Sequence, residues 1–241
     1  MQVLIDADVL IYESCYAAQT VVNWGSDLWS VYADAKQAQL LFEERVAQIL
    51  DVADTSDYVL AVSDSVNFRT DVLDTYKGNR KGKLKPCAYV PLRNWVRVQP
   101  QVCVMYGLEA DDVMGILQTQ SKDTIICTID KDLRQIPGLH LDLNNLEAGV
   151  FEVPREEADQ WHWVQMIAGD AVDGFGGVPG MGPVRAKALL DKKGYEWPVV
   201  VEAYASKGLS EEYALKIARV ARILRDGEYD HEARRPVLWN P

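Results

Sequence analysis

Short apolar runs alternate with longer stretches of helical periodicity through the first two thirds of the chain. Val3-Leu4-Ile5, Tyr58–Val62, Gln101–Tyr106 and Thr124–Ile129 are four such runs. Each is short and nearly unbroken, the pattern of a strand buried on both faces. Between them the period lengthens. Tyr32–Val52 carries Ala35, Ala38, Leu41, Phe42, Val46, Ile49 and Leu50 on one side of a predicted helix. Ala7–Tyr16 and Tyr89–Val98 also read as helices, the latter with Leu92, Trp95 and Val96 inward. Strand–helix alternation of this kind predicts an α/β fold around a parallel sheet. Leu139–Leu143 and Val150–Val153 read as a hairpin around residues 144–149. Val21–Ser30, with Trp24 and Trp29 on either side of Gly25, is expected to form a loop or hairpin packed on the body. From Glu156 onward the pattern is helical: Glu156–Ala168 with Trp161, Trp163, Val164 and Ile167 inward, then Pro183–Leu190, Val199–Ala205 and Glu211–Leu224. The segment Arg234–Trp239 is expected to lie back on the body.

Composition changes this picture little. With 48% hydrophobic and 25% charged residues, the 241-residue chain is ordinary globular material. No apolar run approaches a membrane span. Asp6 and Asp8 interrupt the first one, so it does not read as a secretory signal. Cys15, Cys87, Cys103 and Cys127 are widely spaced, as expected of reduced, mostly buried thiols in a cytoplasmic protein.

Charge changes it more. The net charge of −11 argues against nucleic acid at face value, but its distribution does not. Lys77, Arg80, Lys81, Lys83, Lys85, Arg93 and Arg97 fall in a segment without one acid. Such a run also suits a solvated loop. Acids meanwhile follow the strands: Asp6, Asp64, then Glu109, Asp111 and Asp112, then Asp130 and Asp132. Ligands of parallel α/β sheets bind at that edge. Asp6 or Asp8 could instead cap the first helix, and one or two of the acids at 109–112 could complement a helix dipole. Three crowded together repel unless a cation sits among them.

Residues 167–190 add a further chemistry. Asp170 and Asp173 precede Gly174, Gly176, Gly177, Gly180 and Gly182, after which Pro183 opens a helix carrying Arg185 and Lys187. Backbone N–H groups at a helix start beside two cations make a phosphate seat. A bland glycine turn between two helices is the competing reading. Many carboxylates without clustered His or Cys specify a hard cation such as Mg²⁺ or Mn²⁺. Two such ions about 4 Å apart can activate water against a phosphodiester. His140, His162 and His231 are scattered and take no catalytic role.

Six ordered blocks carry a resemblance. They are L-I-D at Leu4–Asp6, Asp64 ahead of Phe68-Arg69, Y-K-G-N-R at Tyr76–Arg80, L-E-A-D-D-V at Leu108–Val113, T-I-D-K-D-L at Thr128–Leu133, and Gly169–Pro183. Together they resemble the structure-specific 5′-nucleases: phage 5′–3′ exonucleases, flap endonucleases and the 5′-nuclease domain of DNA polymerase I. The short phage exonucleases are the most similar group. The resemblance implies a resolvase/PIN-like catalytic domain over 1–155 and a helix–three-turn–helix (SAM-like) DNA-binding subdomain over 156–241. It implies that Asp6, Asp64, Glu109 and Asp111 hold a first metal, and that Asp112, Asp130, Asp132, Asp170 and Asp173 complete a second site, some through water. It gives Lys77 and Arg80 the scissile phosphate. Arg69, Lys81, Lys83, Lys85, Gly180, Gly182, Arg185 and Lys187 are expected to meet DNA. A K⁺ ion in the glycine turn would rest on the carbonyls of Ile167, Ala168, Gly176, Val178 and Met181.

Two departures matter. Only 26 residues separate Arg80 from Gly107, short for the helical arch that threads a 5′ flap, and Pro86, Pro91 and Pro100 oppose one long helix there. Gly174 stands where the family usually has asparagine. The expectation is therefore a Mg²⁺-dependent 5′–3′ exonuclease on duplex DNA, with RNA of RNA–DNA hybrids as a second substrate, acting in the cytoplasm (the host's, if a phage encodes it). Its rivals are a flap endonuclease, a PIN-type ribonuclease and a non-catalytic DNA-binding relative. The ribonuclease would not need residues 173–187, and a non-catalytic relative typically lacks several of the acids.

Overall fold

The computed structural model describes residues 1–80 and 82–241; the expectation for Lys81 lies outside them. The chain forms β1 (Gln2–Asp6), α1 (Ala7–Ala17), β2 (Gln19–Asn23), β3 (Trp29–Ala33), α2 (Ala35–Val52), β4 (Tyr58–Ala61), α3 (Arg69–Val72), α4 (Tyr89–Val96) and β5 (Val102–Cys103). Then come α5 (Ala110–Gln120), β6 (Thr124–Thr128), β7 (Gly138–Asp142), β8 (Phe151–Val153), α6 (Arg155–Ala168), β9 (Gly169–Asp170) and β10 (Phe175–Gly176). It closes with α7 (Pro183–Lys193), α8 (Trp197–Ala205), α9 (Glu211–Ala221), β11 (Tyr229–Asp230) and β12 (Arg235–Pro236).

The main sheet has the order β5-β4-β1-β6-β7-β8. Its pairs are parallel except β7–β8. Alternate residues of β1 face opposite layers, as a pleated strand requires. Val3 and Ile5 pack with Leu10, Phe42, Ile49 and Leu92 from α1, α2 and α4. Leu4 packs with Val113 and Met114 of α5 and with Ile223 and Leu224 beyond α9. A third core joins α6, α7, α8 and α9 and takes in Tyr76. The expected α/β sheet flanked by helices is the observed fold. From β1 the chain builds outward to β4 and β5, then crosses to β6 on the other side. The crevice at that reversal lies above the ends of β1 and β6, where Asp6 and Asp130 sit.

Several expected boundaries move. The helix expected from Tyr32 starts at Ala35, because Trp29–Ala33 pairs with Gln19–Asn23 and Asp34 caps α2 through the N–H of Lys36 at 2.7 Å. The β2–β3 hairpin does not pack on the body as expected: Trp24 is 67% and Trp29 58% exposed. The Gln101–Tyr106 strand shrinks to two residues at the sheet edge, since the chain turns at Gly107, φ +75°, to enter α5. The last helix stops at Ala221 so that Leu224 can donate its N–H to Asp112. Trp239 does fold back, lodged among His162, Trp163 and Trp197.

Candidate metal and phosphate site

The strand ends converge on a cleft of about 860 Å³ whose lining includes Asp6, Asp64, Glu109, Asp111, Asp130, Lys77 and Arg80. Asp6 is buried at the end of β1. One of its oxygens caps α1 at the N–H of Val9, and the other accepts the Thr128 hydroxyl at 2.9 Å. Both the cap and the site therefore fall to Asp6, while Asp8 accepts the Ser63 N–H. Burial, reinforced by Asp8, raises Asp6 to about 7. Asp64 is held by the N–H groups of Ser65 and Gly107, which outweigh burial and lower its pKa. Asp111 and Asp130 are raised by burial and by neighbouring acids. Asp132 reaches about 7 through burial and the charges of Asp130 and Asp170. Its Oδ1 is buried without a hydrogen-bond partner.

Glu109 differs. Burial would raise it, but Lys77 and Arg69 hold it down at about 2. Lys77 pairs with Glu109 and lies 3.6 Å from Asp173; Arg80 pairs with the other oxygen of Asp173. Tyr76 donates to Glu109 at 2.7 Å and to Asp173 at 3.1 Å. Asn79 donates to the carbonyls of Ala171 and Val172, so the Y-K-G-N-R turn is stapled to the turn after α6. Asp170 accepts the N–H groups of Val172 and Asp173 and faces Lys131 at 3.6 Å. Tyr76, expected only to anchor a loop, and Asn79, for which the motif implies no role, pin the segment that carries Asp170 and Asp173.

Two expectations are corrected. Asp112 is fully buried and accepts a two-pronged contact from Arg69 at 2.6 and 2.7 Å. It also takes the N–H groups of Glu109 and Leu224, so its oxygens are consumed within the fold and do not reach the cleft. Arg69, expected at the DNA, is 3% exposed and faces inward. The sequence could not separate Asp112 from Asp111: adjacent helix positions point in different directions, and which one faces the cleft depends on how α5 lies on the sheet.

Lys83 is exposed and Lys85 stacks on the Tyr89 ring at 4.1 Å. Residues 82–88 contain no helix, and Pro91 falls in the first turn of α4, where its missing N–H is harmless. A separate hollow of about 720 Å³ is lined by Ala168, Gly176, Val178, Gly180, Met181, Gly182 and Arg185. The carbonyls of Ile167, Gly176 and Val178 there already accept protein hydrogen bonds, from Val178, Tyr213 and Met181. Gly169 and Gly177 are required by the fold itself, since a Cβ on Gly169 would lie 2.2 Å from the Gly177 nitrogen and one on Gly177 would lie 2.2 Å from the Ile167 carbonyl oxygen at the end of α6. Gly182 has open space around it. Arg185 is exposed, whereas Lys187 is tied to Asp191.

The donor set fits divalent cations. It is all oxygen, it holds several carboxylates raised by burial and then by mutual repulsion, and it leaves one buried carboxylate oxygen unpartnered. Among the described residues no three acids surround a single point, and Glu109, Asp173 and Asp170 are paired with Lys77, Arg80 and Lys131.

A family model described as 5′-3′ exonuclease, N-terminal resolvase-like domain, matches residues 1–160. The exodeoxyribonuclease of Enterobacteria phage T3 is 28% identical, over 99% of this chain and 92% of its own. The exonuclease of Escherichia phage T7 is 27% identical, over 99% and 93%. Among solved structures, the T5 D15 protein co-crystallised with metal ions superposes with a TM-score of 0.67 at 13% identity, over 91% of this chain and 88% of that one. The catalytic core of Rad2 in complex with DNA substrate gives 0.52 at 13%, over 85% and 64%. At such identities the structural likeness speaks to the fold.

Proposed function

Given that the chain belongs to the 5′-3′ exonuclease family and is a nuclease, we propose that it removes nucleotides from the 5′ ends of duplex DNA with two divalent cations, Mg²⁺ or Mn²⁺. The observation that carries this reading is the opposition, in one cleft, of strand-end acids to Lys77 and Arg80. Asp6, Asp64, Glu109 and Asp111 would hold one ion; Asp130, Asp132, Asp170 and Asp173 would serve the other, in part through water. Bound there, the ions would supply an activated water and offset charge on the leaving oxygen. Lys77 and Arg80 would bind the scissile phosphate and stabilise the charge that grows on it, at the expense of their present pairs with Glu109 and Asp173. The hollow beside Gly180, Gly182 and Arg185 would grip uncut duplex by its backbone, without reading bases, with or without a K⁺ ion. Residues 156–241 would form the DNA-gripping subdomain of this reading, and the protein would act in the cytoplasm. Among the described residues no helix is long and apolar enough to cross a membrane.

Exonuclease action is preferred to flap cutting because residues 82–88 and the eight-residue α4 supply no long arch helix. The deciding experiment follows 5′-labelled duplex, flap and RNA–DNA hybrid substrates with Mg²⁺ and with EDTA. Release of short labelled products from the duplex, only with metal, is the expected result. Cleavage confined to the flap junction would establish the rival reading, and no cleavage with metal would remove the proposal. The hybrid lane decides whether RNA is also a substrate.

A further inference from the structure

Arg69 is a buried cation outside the cleft that the reaction does not use. Its guanidinium spends every nitrogen. Nη1 and Nη2 meet Asp112, Nε donates to the carbonyl of Val220 at 2.9 Å, and Nη2 also donates to that of Arg222 at 2.6 Å. Nη1 additionally lies 3.4 Å from Glu109 Oε2. Asp112 in turn accepts the Glu109 N–H at 3.2 Å and the Leu224 N–H at 3.1 Å. The chain past α9 is thus joined to the start of α5 through one ion pair.

The two oxygens of Glu109 are treated differently. Oε2 meets Tyr76 and Arg69, both nearly inaccessible. Oε1 meets only Lys77 among these groups, and Lys77 is 22% exposed at the cleft wall. Lys77 can leave for a phosphate; Tyr76 and Arg69 cannot. We infer that Arg69, neutralised by Asp112, is a positioning residue that fixes Glu109 Oε2 and so presents Oε1 to a divalent cation once Lys77 is withdrawn. Metal ligands are commonly oriented by a partner of this kind, and losing it weakens metal binding by about 10- to 100-fold. The inference rests on the metal role proposed for Glu109.

Two variants test it. Arg69→Lys keeps a charge opposite Asp112 but cannot span Asp112, Glu109 and two carbonyls at once. Arg69→Met with Asp112→Leu removes both charges together, which leaves no unpaired ion in the core. Mn²⁺ binding is measured by calorimetry without DNA, alongside thermal melting and the Mn²⁺ dependence of cleavage. The expected result is Mn²⁺ binding about tenfold weaker in each folded variant, with cleavage by Arg69→Lys restored by excess Mn²⁺. Wild-type Mn²⁺ affinity, with only the melting temperature lowered, would reduce Arg69 to a structural staple and overturn the inference. Should the double variant fail to fold, Arg69→Lys decides alone. Failure of the unaltered protein to bind Mn²⁺ or cut DNA would instead strike the proposed function itself.

Discussion

Arg80 and Asp173 form an ion pair across 93 positions of sequence, each taken from the side of the site where the other's partners would lie. A cation that should meet phosphate is occupied by an acid that should serve a metal. Asp173→Asn is expected to release Arg80 and to remove one of the two acids beside Lys77, which keeps its pair with Glu109. Duplex binding in EDTA should then tighten about fivefold at low salt, the scale of about 1 kcal/mol for one close charge in water. Cleavage with Mg²⁺ should fall at the same time. Fluorescence anisotropy beside a cleavage assay checks both, and binding that weakened would show that Asp173 does not compete with phosphate.

Asp130→Ala should lower cleavage of a 5′-labelled duplex by at least about 10²-fold, the size of losing one well-placed stabiliser of a charged transition state. Duplex binding should persist, since the acid repels the backbone. A wild-type rate would remove Asp130 from the metal site.

Acidity of the metal-free protein gives a third expectation. Asp6 and Asp132 sit near 7 in the fold against an ordinary 3.8. Between these values the folded state holds protons that the unfolded chain has lost, so stability falls as pH rises. Each group contributes at most about 1.4 kcal/mol per pH unit in that window. Glu109, held at about 2, contributes oppositely, but its share is complete once pH passes its ordinary 4.5. Melting in EDTA should therefore occur at lower temperature at pH 8 than at pH 5.5, and Asp132→Asn should flatten the slope. An equal slope in the variant would contradict the assignment.

The glycines divide by mechanism. Gly177→Ala places a Cβ 2.2 Å from the Ile167 carbonyl oxygen. It should destabilise the protein by about 1–3 kcal/mol or more, the range for overpacking. Gly182→Ala meets nothing within 4 Å at φ −73°, so its melting should match wild type. If backbone phosphate approaches there, duplex binding should still weaken; unchanged binding would take Gly182 out of the interface.

Arg185→Ala with Lys187→Ala should lower the salt slope of duplex binding by about one, not two. Lys187 already shares its charge with Asp191. A slope unmoved by the pair would place the duplex elsewhere.

Much of this was legible in the sequence because β-strands announce themselves by short apolar runs and parallel sheets collect their strand-end residues on one edge. Asp6, Asp64, Glu109, Asp111 and Asp130 needed nothing more to be brought together. What stayed hidden depends on distant chain. Asp112 reads like a sixth such acid until residues 220–224 cover it, and Arg69 reads like a surface cation for the same reason. The β2–β3 hairpin misled differently: its tryptophans suggest burial, yet little of the described structure covers them.

The junction of Arg69 and Asp112 with residues 220–224 also has a meaning for the order in which the protein is made. Translation delivers the cleft acids before residues 220–224, the segment that holds the Arg69–Asp112 pair beside Glu109. A nascent chain carrying every acid would lack that brace, so its hold on metal should reach full strength only after synthesis passes Leu224, a built-in delay between making the nuclease and arming it.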